Sequence, residues 1–166
     1  MEKMVTKKIM PKMATEKAMS KMVWFDMDGT IADLYGVESW LEALRAESTH
    51  PYEQAGTLVN MSQLAKLLHK LQAVGYGIGI ISWTSKNGSD LYNGQVALSK
   101  MCWLHKHLPS VSWDEIRIVA YGTPKHTFKH NDEDILFDDE VNNRNAWQGL
   151  AYNQNDIIKV LKALIK

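Results

Sequence analysis

The chain has 166 residues, a length typical of one domain with a substantial core, and its 19 basic and 19 acidic residues leave no overall field to recruit nucleic acid or an anionic membrane. Its single cysteine, Cys102, excludes an internal disulfide and a zinc site built from several cysteines, and this usage fits a reducing compartment. Apolar runs are interrupted by glycine, lysine or histidine before they reach the length of a membrane span, so we expect a soluble, cytoplasmic protein without a membrane partner.

The first 21 residues are basic, with six lysines and two glutamates. They lack the continuous apolar core and the cleavage pattern of a secretory signal, and we interpret residues 1–21 as a flexible or partly helical tail. A start of the protein at Met22 or a nearby methionine explains the composition equally well. Binding of the tail to nucleic acid is less favoured, because no aromatic residues that could stack on bases lie between the lysines.

The segment from Val23 to Thr30 combines a strand pattern with two acidic residues. Successive side chains of an extended segment point to opposite faces, so Asp26 and Asp28 project in the same direction. Two carboxylates this close suit Mg²⁺ binding and a carboxylate nucleophile beside an acid or base. The alternative is an ordinary Asp-Gly hairpin turn after a strand.

The run Asp26-Met27-Asp28-Gly29-Thr30 resembles the first motif of the haloacid dehalogenase (HAD) superfamily of phosphohydrolases, Asp-x-Asp-Gly-Thr, at every fixed position. The resemblance implies an α/β, HAD-like Rossmannoid three-layer fold with a central parallel sheet and a short helical cap insertion. It also implies that Asp26 is the nucleophile and Asp28 the acid and base. Both carboxylates, with the Met27 carbonyl, are then candidates for the Mg²⁺ site.

Residues 33–60 follow the first motif, where the superfamily carries a cap that covers the site and helps to select the substrate. Trp40 and Leu44 have helical spacing before a break at Pro51, so we expect one or two short helices and a loop. The side chains here that could stack on a base or hold a phosphate are Tyr35, Trp40, Arg45 and Tyr52. We expect residues 22–166 to form a single domain that includes this small insertion.

A helix and a buried strand are predicted after the insertion. Asn60 or Ser62 is the expected N-cap of a helix whose leucines keep a 3.6-residue period up to Gly75. Residues 78–81 form a short apolar run of the kind found in central parallel strands. Helix followed by strand followed by helix indicates a right-handed βαβ unit.

Hydroxyl residues follow this strand, where the second motif of the superfamily places a Ser or Thr that holds the transferred phosphoryl group. Ser82 follows the apolar run directly and is favoured on this ground, and Thr84 lies on the same face two residues later. The turn Trp83-Thr84-Ser85 resembles that of the 5′(3′)-deoxyribonucleotidases, a small nucleotidase branch of the superfamily, which favours Thr84. Both residues stay open as the phosphate-binding hydroxyl.

Residues 89–108 are predicted to form a helix with Leu98, Met101 and Cys102 among its apolar positions, and we interpret Cys102 as a small buried residue. After the next predicted strand, residues 116–120, Lys125 lies where the third motif of the superfamily places a basic residue. An ammonium there would neutralise the nucleophile and the phosphoryl oxygens. A lysine after a proline turn is otherwise usually a surface residue. The weaker candidates for the same role are His126 and Lys129.

Residues 135–137 have the pattern of a buried strand, and Asp138 and Asp139 follow it. Paired acids are common at helix starts, but the carboxyl ends of strands are where open α/β sheets bind ligands. The pair resembles the fourth motif of the superfamily, which implies Asp138 as a Mg²⁺ ligand and Asp139 as a second, indirect one. Residues 157–165 are predicted to form an amphipathic helix that covers the sheet.

The four motifs together imply a Mg²⁺-dependent phosphomonoester hydrolase that acts through an aspartyl-phosphate intermediate. The expected substrate is a small phosphorylated metabolite such as a nucleoside monophosphate, and nucleic acid is not the favoured partner. Two alternatives stay open. One is a catalytically weak HAD-like binding or regulatory protein, because a fold does not fix a function. The other is a nucleic-acid 3′-end phosphatase that uses the basic tail.

Overall fold

The computed structural model describes residues 21–166 and has an α/β fold. Its strands, in chain order, are Met22–Phe25 (β1), Ala32–Asp33 (β2), Gly56–Thr57 (β3), Gly77–Trp83 (β4), Glu115–Val119 (β5), Ile135–Phe137 (β6) and Leu150–Tyr152 (β7). Five of them form one sheet in the order β5-β4-β1-β6-β7, and each neighbouring pair is parallel. The predicted tail, apart from its last residue, lies outside the described residues.

Helices cover both faces of this sheet. They are Trp40–Arg45 (α1), His50–Gln54 (α2), Met61–Ala73 (α3), Asp90–His107 (α4), Val141–Trp147 (α5) and Ile157–Leu164 (α6), with 3₁₀ helices at Lys125–Phe128 and Gln154–Asp156. Side chains of α3, α6 and the last part of α4 pack with Phe25 and Ile80 on one face. On the other face, Trp147 of α5 packs with Trp24 and Leu136. These layers confirm the predicted fold class.

The centre of the sheet is fixed by a close contact between β1 and β4. Trp24 is fully buried and is paired with Gly79 in the sheet. A Cβ atom at residue 79 would overlap the indole ring, so a glycine is required beneath the tryptophan. This packing holds β1 between its neighbours, and the acidic residue that follows β1 is held with it.

The helix α3 follows the predicted pattern. The side chain of Asn60 accepts a hydrogen bond from the backbone N–H of Gln63 at 2.9 Å and caps the first turn. The leucines of the apolar stripe are buried: Leu64, Leu67, Leu68 and Leu71. In the part of the chain described by the structure, no helix combines the length and the apolar character of a membrane span.

The insertion, residues 33–60, begins in β2 and ends shortly after β3. These two strands pair in an antiparallel manner. Tyr52 of α2 packs with Tyr92 and Val96 of α4. The indole N–H of Trp103 in α4 also donates a hydrogen bond to the carbonyl of Ala55 at 2.8 Å. The insertion is therefore fastened to α4 along much of that helix.

The inward face of α4 differs from the prediction. Leu98 is 64% exposed and Met101 is 49% exposed, so these apolar positions lie on the outer face of the helix. Cys102 is also exposed, and its interpretation as a small buried residue was wrong. The residues of α4 that are buried are Tyr92, Val96, Ser99, Lys100, Trp103 and Leu104. The polar residues on the inward face of α4 contact polar groups in the insertion and at the end of β4. Hydrophobicity alone therefore does not orient this helix.

Candidate active site

Three carboxylates converge at the carboxyl ends of β1 and β6. Phe25 and Phe137 are paired in the sheet. The residues that follow them, Asp26 and Asp138, are therefore neighbours, and the backbone N–H of Asp26 donates to the carbonyl of Phe137 at 2.9 Å. One oxygen from each of Asp26, Asp138 and Asp139 lies within 4.8 Å of the others. Carboxylate oxygens at this separation fit a small divalent cation such as Mg²⁺.

Lys125 supplies a positive charge to this cluster. Its side chain is 3% exposed, and Nζ lies 2.9 Å from Asp26 Oδ1 and 2.7 Å from Asp138 Oδ2. Burial lowers the pKa of Lys125, but the two carboxylates outweigh it, and the pKa lies above its ordinary value. The ammonium therefore stays charged at neutral pH beside the predicted nucleophile.

One ammonium does not neutralise three carboxylates. Burial raises the pKa of Asp138 to about 6, and the charge of Asp26 adds to this effect. Burial raises the pKa of Asp139 to about 7, again with help from Asp26 and Asp138. The Thr30 hydroxyl lies 3.3 Å from an oxygen of Asp26 and from an oxygen of Asp139. The excess negative charge favours a cation among these carboxylates.

Asp28, a predicted candidate for the Mg²⁺ site, lies outside the three-carboxylate cluster. Its Oδ2 accepts a hydrogen bond from the ammonium of Lys100 at 2.6 Å. Burial raises the pKa of Asp28 above its ordinary value, and the charge of Lys100 opposes this rise. Asp26 and Asp28 thus face the same region with different partners.

The Met27 carbonyl accepts three hydrogen bonds, from the backbone N–H groups of Thr30, Ile31 and Ala32, at distances between 2.9 and 3.1 Å. These bonds form the tight turn that follows β1. A carbonyl already engaged by three donors is a poor metal ligand, so the expectation that it belongs to the Mg²⁺ site is wrong.

The two hydroxyls at the end of β4 have different surroundings. Ser82 is fully buried, and its Oγ accepts a hydrogen bond from Lys100 Nζ at 2.8 Å. Thr84 lines the cleft that also contains Asp26 and Lys125. Of the two residues, Thr84 is therefore the one that a phosphate in the cleft can reach.

The alternative basic residues have other partners. Lys129 Nζ donates to the backbone carbonyls of Trp147 and Gln148 at 3.1 and 3.3 Å. His126 is exposed on the 3₁₀ helix that carries Lys125. Of the three candidates, Lys125 is the one that contacts the carboxylates.

A cleft of about 530 Å³ opens over Asp26 and Asp28, with aromatic pairs on its walls. In the insertion, the rings of Tyr35 and Trp40 lie 4.9 Å apart in an edge-to-face arrangement. Trp83 and Tyr121 form a second pair, also 4.9 Å apart. The other polar and charged residues that line it are Arg45, Glu47, Ser85, Lys86, Asn87, Glu140 and Asn143. All four insertion residues singled out from the sequence, including Tyr52, line this cleft.

Three further side chains lie beside these carboxylates and were not predicted from the sequence. Lys100 contacts Asp28, Thr30 lies between two carboxylates, and Asn143 donates to Asp138 at 3.1 Å. Thr30 is the last position of the first motif and could have been singled out for that reason. The spacing of Tyr92, Val96 and Lys100 at intervals of four is the signal that places the lysine on the inward face of α4.

No family model matches the sequence, and no curated protein matches it either. Among solved structures, the chain is similar to D,D-heptose 1,7-bisphosphate phosphatase from Burkholderia thailandensis, with a TM-score of 0.57 and 13% identity over 88% of this chain and 99% of that one. It is also similar to a chain of a Pnkp1/Rnl/Hen1 complex, with a TM-score of 0.49 and 14% identity over 90% of this chain and 50% of that one. A third similarity is to the HAD domain of the effector protein Lem4 from Legionella pneumophila, with a TM-score of 0.43 and 12% identity over 89% of this chain and 96% of that one.

At these identities the similarity shows the fold alone. The fold, a central parallel sheet with helices on both faces, is as predicted, and the similarity to the heptose bisphosphate phosphatase extends over nearly all of that chain. The heptose bisphosphate phosphatase is not described as a nucleotidase, so the closer resemblance to the deoxyribonucleotidases gains no support from it.

Proposed function

We propose that this protein is a Mg²⁺-dependent phosphomonoester hydrolase with Asp26 as its nucleophile. The observation that carries the proposal is the cluster of Asp26, Asp138 and Asp139 at one end of the parallel sheet and beneath a cleft, with the Lys125 ammonium bound to the first two of them. Ligand sites of open α/β sheets lie at this end of the strands.

The three clustered carboxylates are the groups that would hold Mg²⁺, with Asp139 either direct or through water. Their oxygens are the ligand type that Mg²⁺ prefers, and the raised pKa values of Asp138 and Asp139 indicate charge that a cation would offset. Bound there, Mg²⁺ would offset the negative charge of the phosphate and stabilise charge that develops during transfer.

In the first half of the reaction, an oxygen of the Asp26 carboxylate attacks phosphorus in line with the leaving oxygen. The bond from phosphorus to the leaving oxygen breaks, and the Asp28 carboxyl gives its proton to that oxygen. The products of this half are an alcohol and an aspartyl-phosphate at residue 26.

In the second half, Asp28 is a carboxylate and removes a proton from water as the water oxygen attacks phosphorus. The bond between phosphorus and Asp26 breaks, and inorganic phosphate leaves. Lys125 and the hydroxyl of Thr84 hold the equatorial phosphoryl oxygens, where charge spreads in the transition state. At the end Asp26 is again a carboxylate and Asp28 is again a protonated carboxyl group.

The proposed substrate class is a small phosphorylated metabolite with a flat leaving group, such as a nucleoside monophosphate. Two aromatic pairs line the cleft beside the reacting carboxylates, and aromatic rings stack on nucleobases without regard to sequence. Arg45 and Lys86 add positive charge to the same cleft.

Release of phosphate from p-nitrophenyl phosphate and from a panel of nucleoside monophosphates and sugar phosphates, with Mg²⁺ or with EDTA, tests the proposal. We expect release that requires Mg²⁺ and that falls below about one thousandth of the wild-type rate in Asp26→Asn. The matched control is Asp132→Asn, which changes an exposed aspartate in a loop. Release from Asp26→Asn at the wild-type rate would show that the nucleophile is elsewhere.

The same assay, with 3′-phosphorylated strands added to the substrates and with binding of Mg²⁺ and phosphate measured alongside, separates the two alternative functions. A binding or regulatory protein would retain Mg²⁺ and phosphate affinity without turnover. A 3′-end phosphatase would prefer 3′-phosphorylated strands to mononucleotides, and deletion of residues 1–21 would remove that preference.

A further inference from the structure

Lys100 is buried in the middle of α4, with its side chain 1% exposed. Removing an ammonium group from water is costly unless opposite charge and hydrogen bonds compensate for it. The neighbouring residues Leu98 and Met101 are exposed. The helix therefore directs a lysine inward and two large apolar residues outward, which is the reverse of the ordinary preference.

All three N–H donors of the Lys100 ammonium have a partner. Nζ donates to Asp28 Oδ2 at 2.6 Å, to Ser82 Oγ at 2.8 Å and to the Trp83 carbonyl at 2.6 Å. The ring of Tyr52, from the insertion, lies 5.2 Å from Nζ. Because an ammonium has three donors and no acceptor, this set of bonds is complete. It fixes Nζ relative to the end of β4.

This arrangement restricts the position of the Asp28 carboxyl. One of its oxygens is bound to a fixed ammonium, and its carboxyl lines the cleft outside the cluster of Asp26, Asp138 and Asp139. Two buried lysines thus contact different acidic residues of the site. Lys125 contacts Asp26 and Asp138 of the three-carboxylate cluster, and Lys100 contacts Asp28, which lies outside it.

We propose that Lys100 is a positioning residue that holds the Asp28 carboxyl at the leaving-group side of the cleft. Asp28 is then placed to give its proton to the leaving oxygen while the bond from that oxygen to phosphorus breaks and the Asp26 oxygen bonds to phosphorus. This inference rests on the proposed function. It also gives Ser82 a role, as an anchor of Lys100.

The dependence of rate on the leaving group isolates this role. An alkoxide is a poor leaving group and needs the proton from Asp28, whereas p-nitrophenolate leaves without one. A variant that misplaces Asp28 therefore slows hydrolysis of an alkyl phosphate far more than hydrolysis of p-nitrophenyl phosphate. A general loss of folding or of phosphate binding slows both substrates alike.

The test compares Lys100→Met with the control Lys106→Met, an exposed lysine on the same helix. We expect Lys100→Met to reduce kcat for an alkyl phosphate by about 100-fold relative to p-nitrophenyl phosphate, because general acid catalysis contributes factors of this order. Ser82→Ala should give the same signature at smaller amplitude, and Lys106→Met should give none. An equal reduction for both substrates, or no reduction in Lys100→Met, overturns the proposal.

A crystal structure of Lys100→Met decides the positional part without reference to activity. We expect the Asp28 side chain to turn away from its wild-type position while the backbone of α4 stays in place. An Asp28 carboxyl that keeps its position overturns the proposal. If the wild-type protein releases phosphate from no substrate, the proposed function fails, and the position of Asp28 in this variant still decides whether Lys100 positions it. Should Lys100→Met fail to fold, the kinetic signature and the crystal structure of Ser82→Ala decide both parts.

Discussion

The carboxylates of Asp26 and Asp138 both lie within hydrogen-bonding distance of the same ammonium group, although the two residues follow different strands. The pairing of β1 with β6 makes this possible, because each acid comes directly after a paired phenylalanine. The sheet register thus determines the distance between the proposed nucleophile and the proposed metal ligand. The shared ammonium, that of Lys125, then determines how much negative charge the pair can carry without a cation.

Replacement of Lys125 by methionine should destabilise the metal-free protein. The substitution leaves buried carboxylates without their partner, and breaking a buried ion pair in this way costs about 3–5 kcal/mol. Thermal unfolding in EDTA should show a lower Tm than that of the wild type, and Mg²⁺ should restore more of the Tm in the variant. Lys159→Met, which changes an exposed lysine of α6, serves as the control. An unchanged Tm would show that the ammonium is not needed to hold the carboxylates together.

Replacement of Asp139 by asparagine should stabilise the metal-free protein at pH 8. The pKa of Asp139 is raised from the ordinary 3.8 to about 7 by burial and by its acidic neighbours. The folded state therefore binds this proton more tightly than the unfolded chain does. The free energy of unfolding falls as the pH rises from about 4 to about 7, and the lost part is not regained above that range.

Asparagine does not ionise, so the gain in Tm from Asp139→Asn should be largest at pH 8 and should shrink as the pH falls toward 4. Unfolding scans in EDTA at several pH values measure this difference, with Asp132→Asn as the control. A gain that is the same at every pH would contradict the charge-repulsion explanation.

Replacement of Thr84 by valine should weaken the binding of inorganic phosphate, since the cleft wall would lose a hydroxyl while keeping its shape. Loss of one hydrogen bond to a charged group costs about 1.5–3 kcal/mol, which corresponds to at least a tenfold increase in the inhibition constant of phosphate. Ser82→Ala should leave that constant unchanged, because the Ser82 hydroxyl is buried against Lys100. The opposite result, with phosphate affinity lost in Ser82→Ala alone, would exchange the assignments of the two hydroxyls.

Replacement of Trp40 by alanine should raise KM for nucleoside monophosphates and leave KM for alkyl phosphates unchanged. Stacking of a base on an aromatic ring contributes about 1–3 kcal/mol, so an increase in KM of about fivefold or more is expected. Steady-state kinetics with both substrate classes measure the effect, and the alkyl phosphate serves as the internal control. Equal effects on both classes would indicate that Trp40 supports the insertion and does not contact the substrate.

Much of the sheet and of the acidic cluster could be predicted from the apolar runs and from the residues that directly follow them. A residue that directly follows a parallel strand lies at the carboxyl edge of the sheet, so the positions of Asp26 and Asp138 follow from local patterns of apolar residues. The edge strand β7 was not predicted, because Leu150-Ala151-Tyr152 is short and only partly buried.

The orientation of α4 could not be predicted from hydrophobicity. Leu91, Leu98 and Met101 are exposed, and the partners that bury Lys100 come from distant parts of the chain. The burial of this lysine depends on Asp28, on the end of β4 and on Tyr52 of the insertion. The spacing of Tyr92, Val96 and Lys100 indicates the face of α4 that carries the lysine, but no local pattern identifies the distant groups that bury it. The strand-end acids, in contrast, require only the strand that precedes them.

Trapping of the phosphorylated protein tests the central claim most directly. The protein is mixed with substrate and Mg²⁺, quenched in acid, digested and analysed by mass spectrometry. We predict one phosphoryl group on Asp26, present in the wild type, more abundant in Asp28→Asn and absent from Asp26→Asn, because Asp28 activates the water that hydrolyses the intermediate. A phosphoryl group on another residue, or rapid phosphate release with no phosphorylated intermediate at any quench time, would contradict the account.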